Sequence, residues 1–227
     1  MQTFQTSSRF SKMIHYFHLL IASILVAYPL AFAKAEQGPW ESWLTTSISQ
    51  RLDYGLELGL ESELRLSAQD PLWSRLELIP QLTWHYSPRY DFGLGYENNL
   101  SELASGEIRV GHEGFAFGTV KIPFAFWKLE SRQRFQFGAM EGEESGVFRH
   151  QVRLSYERFR LRPFMGNEAF VDLLNGELSE NRARVGVRYS VNPHAQVELY
   201  GMRIDRWEVT GAHEWAPVVG AGIMWEF

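Results

Sequence analysis

Charged side chains recur at every second position along much of this chain, and they are the groups whose chemistry it could use. Residues 56–66 read LELGLESELRL, with Glu57, Glu61, Glu63 and Arg65 on one parity and leucines on the other. The habit continues with Arg75 and Glu77, then Lys128, Glu130, Arg132 and Arg134, then Arg149 and Arg153. Arg160, Arg162 and Glu168 follow, then Arg182, Arg184 and Arg188, and finally Glu198. Residues two apart share one face of a strand. Early segments are rich in carboxylates and later ones in arginine, whose planar fork pairs carboxylates bidentately. If the segments enclose a common interior, Glu61, Glu63, Arg65, Glu77, Arg132, Arg134, Arg149, Arg153, Arg162, Glu168, Arg182 and Arg184 form a candidate lumen network. Two chemistries follow. The charges neutralise one another and fill the interior, or they line a narrow polar channel whose arginine ladder favours anions, as rings of Arg do.

Other chemistry is thinly represented. His85-x-Ser87, with Glu97 further on, is the one local resemblance to a hydrolytic Ser-His-acid set, and no Ser-Asn-Gly or G-x-S-x-G context surrounds it. His112-Glu113, His150, His194 and His213 are scattered, and adjacent strand residues point apart, so no metal site is expected. No phosphate-cradling glycine loop is present, and no cofactor is expected. The chain has no cysteine, which excludes disulfides, thiolate metal sites and an amino-terminal lipid anchor on cysteine. The expectation is therefore a protein that is not an enzyme.

The elements that must position these charges read as strands throughout. Segments 40–51, 54–66, 73–86, 90–97, 106–120, 127–139, 147–156, 159–171, 181–190, 195–204 and 218–227 alternate, and no amphipathic helix of useful length interrupts them. Their other parity is apolar or aromatic, as in Leu56, Leu58 and Leu60, or Tyr90, Phe92, Leu94 and Tyr96. An apolar outer belt around a charged interior is the pattern of a membrane barrel. Mean hydropathy of only −0.24 and 15% aromatic residues suit that pattern, since only alternate residues would meet lipid and aromatics gather at the interfaces. Segment 106–120 breaks parity: Ile108 and Val110 are even, Phe115 and Phe117 odd, which predicts a bulge near residues 111–114 or two separate pieces. Pro80 likewise predicts a bulge inside its strand. Eleven segments are counted, whereas bacterial single-chain barrels have an even number. The expected fold is an all-β, transmembrane, antiparallel up-and-down barrel of 10–12 strands, with 12 favoured. Tight turns near Asp53, Ser87, Arg158 and Asn192 would lie at one end and the longer polar loops at the other.

The chain ends on VVGAGIMWEF. Val219, Ala221, Ile223, Trp225 and Phe227 share one face, and a terminal aromatic on such a strand is similar to the closing strand that the barrel-assembly machinery of bacterial outer membranes reads. At the other terminus, Arg9 and Lys12 precede an apolar run over residues 19–33 with small-x-small sites ending at Ala33 and Ala35. Residues 1–35 thus read as a cleaved secretory signal peptide, and 36–227 as the barrel domain. Removing Arg9, Lys12 and Lys34 leaves 19 basic against 27 acidic residues, a formal charge of −8 that excludes a nucleic-acid binder's balance.

Several pieces, in order, carry a family resemblance. They are Glu61–Leu66 (ESELRL), Leu129–Phe137 (LESRQRFQF), Phe148–Tyr156 (FRHQVRLSY), Arg162–Leu173 (RPFMGNEAFVDL), Asn181–Met202 and the closing WEF. Together they resemble the outer-membrane barrel family called domain of unknown function 2490, over nearly all of residues 40–227. The resemblance implies a barrel in the outer membrane of a Gram-negative bacterium and implies no activity, substrate or catalytic residue. The expected role is an integral structural or interaction barrel with a charged, largely filled lumen. A narrow channel for small anionic solutes is the alternative, and a lipid-modifying outer-membrane enzyme is a third. Expected partners are outer-membrane lipid and the assembly machinery.

Overall fold

The computed structural model describes residues 40–67, 73–102, 105–140, 143–207 and 212–227; the signal segment expected at 1–35 and the loop at 68–72 lie outside them. The described residues form eleven strands that close on themselves. In chain order they are β1 (Glu41–Arg51), β2 (Leu56–Ser67), β3 (Trp73–Ser87), β4 (Tyr90–Glu102), β5 (Ile108–Phe124) and β6 (Trp127–Met140). Then come β7 (Glu143–Tyr156), β8 (Leu161–Asp172), β9 (Glu177–Asn192), β10 (Ala195–Trp207) and β11 (His213–Glu226). Each strand pairs antiparallel with the next along the chain. Among the described residues there is no α-helix, only the single 3-10 turn Asp53–Gly55. No helix there is long and apolar enough to cross a membrane.

The favoured count of twelve is corrected to eleven, and the reason is geometric. In an up-and-down sheet successive strands reverse, so with an odd number the first and last run the same way. β1 accordingly meets β11 in parallel, from Glu41↔Val218 to Ser49↔Glu226. Evenly spaced, slanted parallel hydrogen bonds close the ring there, slightly weaker per residue than an antiparallel ladder. The closing strand is clasped by Arg51 N–H donating to the Phe227 carbonyl at 2.9 Å and Phe227 N–H donating to the Ser49 carbonyl at 3.0 Å. One further consequence is that β1 starts at the opposite end of the barrel from the end of β11.

Short connections gather at one end, which we call the short-turn end. The β5–β6 turn is two residues, Ala125-Phe126, with Ala125 at φ 52°. That left-handed value matches the twist of a tight hairpin. The β1–β2 turn uses Tyr54 and Gly55 in the same region, at φ 60° and 75°.

The two bulges expected from sequence are absent. β5 keeps one register with β4 from Ile108 to Val120 and one with β6 from Gly111 to Phe124. Its parity conflict is resolved by side chains: Ile108 and Val110 are exposed on the outer face, whereas Phe115 and Phe117 are buried in the lumen. At Pro80 the β3–β4 ladder omits residues 79 and 80 without a change of register. Proline merely withholds a donor there.

Lumenal aromatics lie where the neighbouring strand offers glycine. Gly93 stands opposite Phe117, Gly95 opposite Phe115, Gly186 opposite Phe164 and Gly220 opposite Tyr200. A Cβ on any of these glycines would overlap the ring that folds over it. This cross-strand covering of glycine by an aromatic stiffens a position that would otherwise weaken the sheet.

Candidate functional site

The inward faces of all eleven strands converge on a charged interior. Of the twelve sequence-predicted network residues, ten enter ion pairs and two do not. Arg65 donates from Nε to Glu63 at 2.7 Å and from Nη2 to Glu77 at 2.7 Å. Arg149 grips Glu168 through Nη2 at 2.9 Å and Nε at 3.2 Å, with Arg182 3.8 Å from the other carboxylate oxygen. Arg182 itself donates to Glu180. Glu198 gathers Arg153 at 2.6 Å and Arg188 at 2.9 Å, and Arg184 lies 3.9 Å away. Arg134 donates to Glu97. Arg162 stands apart from this lattice: it pairs with Glu157 at 3.0 Å in the β7–β8 turn. Glu61 and Arg132 each have no opposite charge within 4.0 Å among the described residues.

Several of these contacts skip one or two strands, and so reach over the inner face of the wall instead of joining adjacent strands. Arg134 on β6 reaches Glu97 on β4, and Arg149 on β7 lies 3.9 Å from the same carboxylate. Arg153 on β7 reaches Glu198 on β10. Arg132 on β6 donates to the Gln81 side-chain oxygen on β3 at 3.4 Å. Arg206 on β10 reaches Glu41 on β1 at 2.9 Å.

Aromatic rings hold the guanidinium planes. Arg132 lies 3.8 Å from the Phe117 ring centroid and Arg134 3.5 Å from Phe115. Arg153 lies 3.8 Å from Phe164, and Arg65 4.0 Å from Trp43. Stacked, desolvated contacts of this kind are worth up to about 2 kcal/mol.

Toward the long-loop end the described part of the lumen is tightly packed. Trp43, Ile204, Val218 and Asn99 have almost no exposed surface and all lie in the halves of their strands nearest that end. Trp43, Phe164, Tyr200, Met202, Ile204 and Val218 form one apolar cluster, and Ile79, Phe115 and Phe117 a second. Between this seal and the short-turn end lies a cavity of about 320 Å³, lined among others by Glu61, Gln81, Arg132, Arg153, Arg184 and Tyr200. At the short-turn end Lys128, Glu157 and Arg162 are a quarter to a third exposed.

Sequence reasoning missed Glu97, Asn99, Glu113 and Gln136, all buried and hydrogen-bonded to one another or to the arginines. Their strand parity was the available signal. It pointed Glu97 inward, and Glu113 shares the inward parity of Phe115. The inward turn of Trp43, Phe115, Phe117 and Phe170 had no local signal, because aromatics suit either face.

The closing-strand residues are placed at the seam. Val219 is exposed on the outer face, while Val218, Gly220 and Gly222 of the opposite parity are buried inside. Ala221, Ile223 and Trp225 lie along the β1 ladder opposite Leu44, Thr46 and Ile48, and the Phe227 ring stacks on His194 at 6.4 Å. The triad-like set does not assemble. His85 contacts Asp91 at 2.9 Å and Glu57 at 3.3 Å, and Ser87 Oγ accepts from the Arg89 N–H. Glu97 lies far along β4, opposite Glu113. Among the described residues no cluster of His, Asp and Glu could hold a metal ion.

A family model described as "Protein of unknown function (DUF2490)" matches residues 40–210, most of the chain. The chain belongs to that family. No curated protein matches this DUF2490 barrel. Among solved structures, it is similar to an anion-selective porin from Comamonas acidovorans at 8% identity and a TM-score of 0.40. That match covers 77% of the DUF2490 chain and 55% of the porin.

Proposed function

We propose that this chain is an integral barrel of a Gram-negative outer membrane whose lumen is closed, and whose role is structural or interactive. The outer face supports the membrane reading. Leu58, Leu82, Trp84, Phe92, Leu94, Phe135, Phe137, Met165, Val185, Leu199 and Val219 are all large, apolar and exposed. A contiguous belt of that kind is not tolerated in water. Strands of 11–17 residues meet or exceed the roughly 9–11 needed to cross a bilayer. The signal segment would deliver the chain to the periplasm, and the closing strand would engage the assembly machinery there.

The observation that carries the closed-lumen reading is the set of strand-skipping ion pairs, sealed by Trp43, Ile204 and Asn99. A conducting channel needs a continuous polar path, and these groups occupy its cross-section. No catalytic role is proposed, since His85 is committed to two carboxylates and Ser87 to a backbone donor. A narrow anion-preferring pore is the second reading. It is favoured by the cavity lining, where seven arginines outnumber five carboxylates.

Planar-bilayer recording of the purified, folded barrel separates the two. The closed reading expects a silent bilayer, and discrete anion-selective openings would overturn it. Recovery of the protein in the soluble periplasmic fraction would remove both.

A further inference from the structure

The cavity walls are electrically unlike. β6, β7 and β9 contribute all seven of its arginines, with Glu168 and Glu198 among them, whereas β2 and β3 contribute Glu61, Glu63 and Glu77. Most of these charges are already matched. Glu63 and Glu77 are held by Arg65, Glu168 by Arg149, and Glu198 by Arg153 and Arg188. Arg132 and Glu61 remain: neither has an opposite charge within 4.0 Å, and they act on each other across the same cavity without touching. Arg132 is held in place by the Phe117 ring; its buried Nε–H has no acceptor, as in Arg134 and Arg153, but unlike theirs its only side-chain bond is a long one to a neutral group, Gln81. Gln81 sits on β3 two residues from Ile79, the ladder partner of Glu61, so the Arg132 head lies beside the strand positions flanking Glu61. Glu61 makes no hydrogen bond among the described residues, and its ladder neighbours, Ser47 and Ile79, bring no positive charge.

We propose that this cavity binds a small zwitterion, taking its carboxylate on Arg132 and its ammonium group on Glu61. A simple anion would satisfy Arg132 and leave Glu61 as a buried carboxylate next to a second negative charge. A simple cation would lie among seven arginines. A molecule with both charges answers both walls, and inside the barrel that matching counts for more than it would in bulk solvent. The volume of about 320 Å³ suits an amino-acid-sized solute. Entry is from the short-turn end, because the other end is sealed. The site does not rest on the lumen's being closed to current: a conducting barrel would overturn the closed-lumen reading and leave the site standing.

The test is calorimetric titration of the folded full-length barrel in detergent, with L-glutamine as zwitterion, propionate as anion alone and propylamine as cation alone. Glutamine is expected to bind, and either single-charge probe at least about tenfold more weakly, the scale of one charged hydrogen bond. Glu61→Gln and Arg132→Gln should each weaken glutamine binding by a similar factor. The heat-modifiable gel shift checks that each is folded. Ser47→Trp, on the strand beside Glu61, keeps both charges but fills the space between them, and should abolish binding. Propionate binding as tightly as glutamine and unmoved by Glu61→Gln would make this a plain anion site and overturn the proposal. So would glutamine binding that survives Ser47→Trp, or folded protein that gives no heat with any probe.

Discussion

The sealed half of the lumen and the cavity beneath it use the same residue types to opposite ends. Toward the long loops, Glu97 is 2% exposed and receives Arg134 and Gln136, with Arg149 and Arg75 within 4 Å. In the cavity, Glu61 and Arg132 are side chains of the same chemistry with no opposite charge within 4.0 Å among the described residues. The difference teaches that charge in a barrel interior is not one property. A lattice in which each charge has an opposite charge in contact acts as packing, because breaking one member leaves others buried and unpaired. An isolated group facing a cavity contributes little to the fold and remains free for something else.

The largest effect should come from breaking the lattice. Glu97→Ala strands Arg134 and deprives Gln136, Arg75 and Arg149 of a shared acceptor. A loss of about 3–5 kcal/mol is expected, the range for removing one partner of a buried pair. Urea unfolding in detergent, followed by tryptophan fluorescence, measures it. A loss below about 1 kcal/mol would mean the lattice is not what holds the sealed half together.

A middle effect should come from the glycines that make room for rings. Gly95→Ala drives a methyl into the Phe115 ring on which Arg134 rests, and should cost about 1–3 kcal/mol as overpacking does. Gly201→Ala is its control, since nothing lies within 4 Å of the added carbon on the outer face. That variant should unfold within about 0.5 kcal/mol of wild type. Equal effects at the two sites would show that the ring-over-glycine arrangement has no energetic weight.

The smallest effects belong to the cavity. Glu61→Gln and Arg132→Gln should each shift stability by about 1 kcal/mol or less, the second losing mainly its stacking on Phe117. A loss as large as that of Glu97→Ala at either site would erase the contrast between the two halves and remove the cavity's claim to be spare.

Much of the architecture was legible because strand alternation is local. Leu56–Leu60 against Glu57 and Glu61 declares two faces without help from the rest of the chain, and all eleven segments read this way are strands. Turn chemistry was legible for the same reason. The errors lay where a local rule was asked a global question. Phe115 and Phe117 share a face by their spacing, but spacing does not say that this face is the lumen. That depended on Gly95 and Gly93 standing opposite on another strand. Pro80 withholds a donor, yet the ladders on either side absorb it without a bulge.

The sequence alone thus determined the strand positions, the two-faced character of each strand, the family and the inward parity of the charged network. Tertiary structure decided how the ring closes and which charges meet. An odd number of strands forces β1 and β11 to run parallel, a property of the whole circuit that no single segment encodes. Whether Arg153 finds Glu198, or Arg132 finds no carboxylate, depends on strand tilt and stagger around the closed barrel, which only closure fixes.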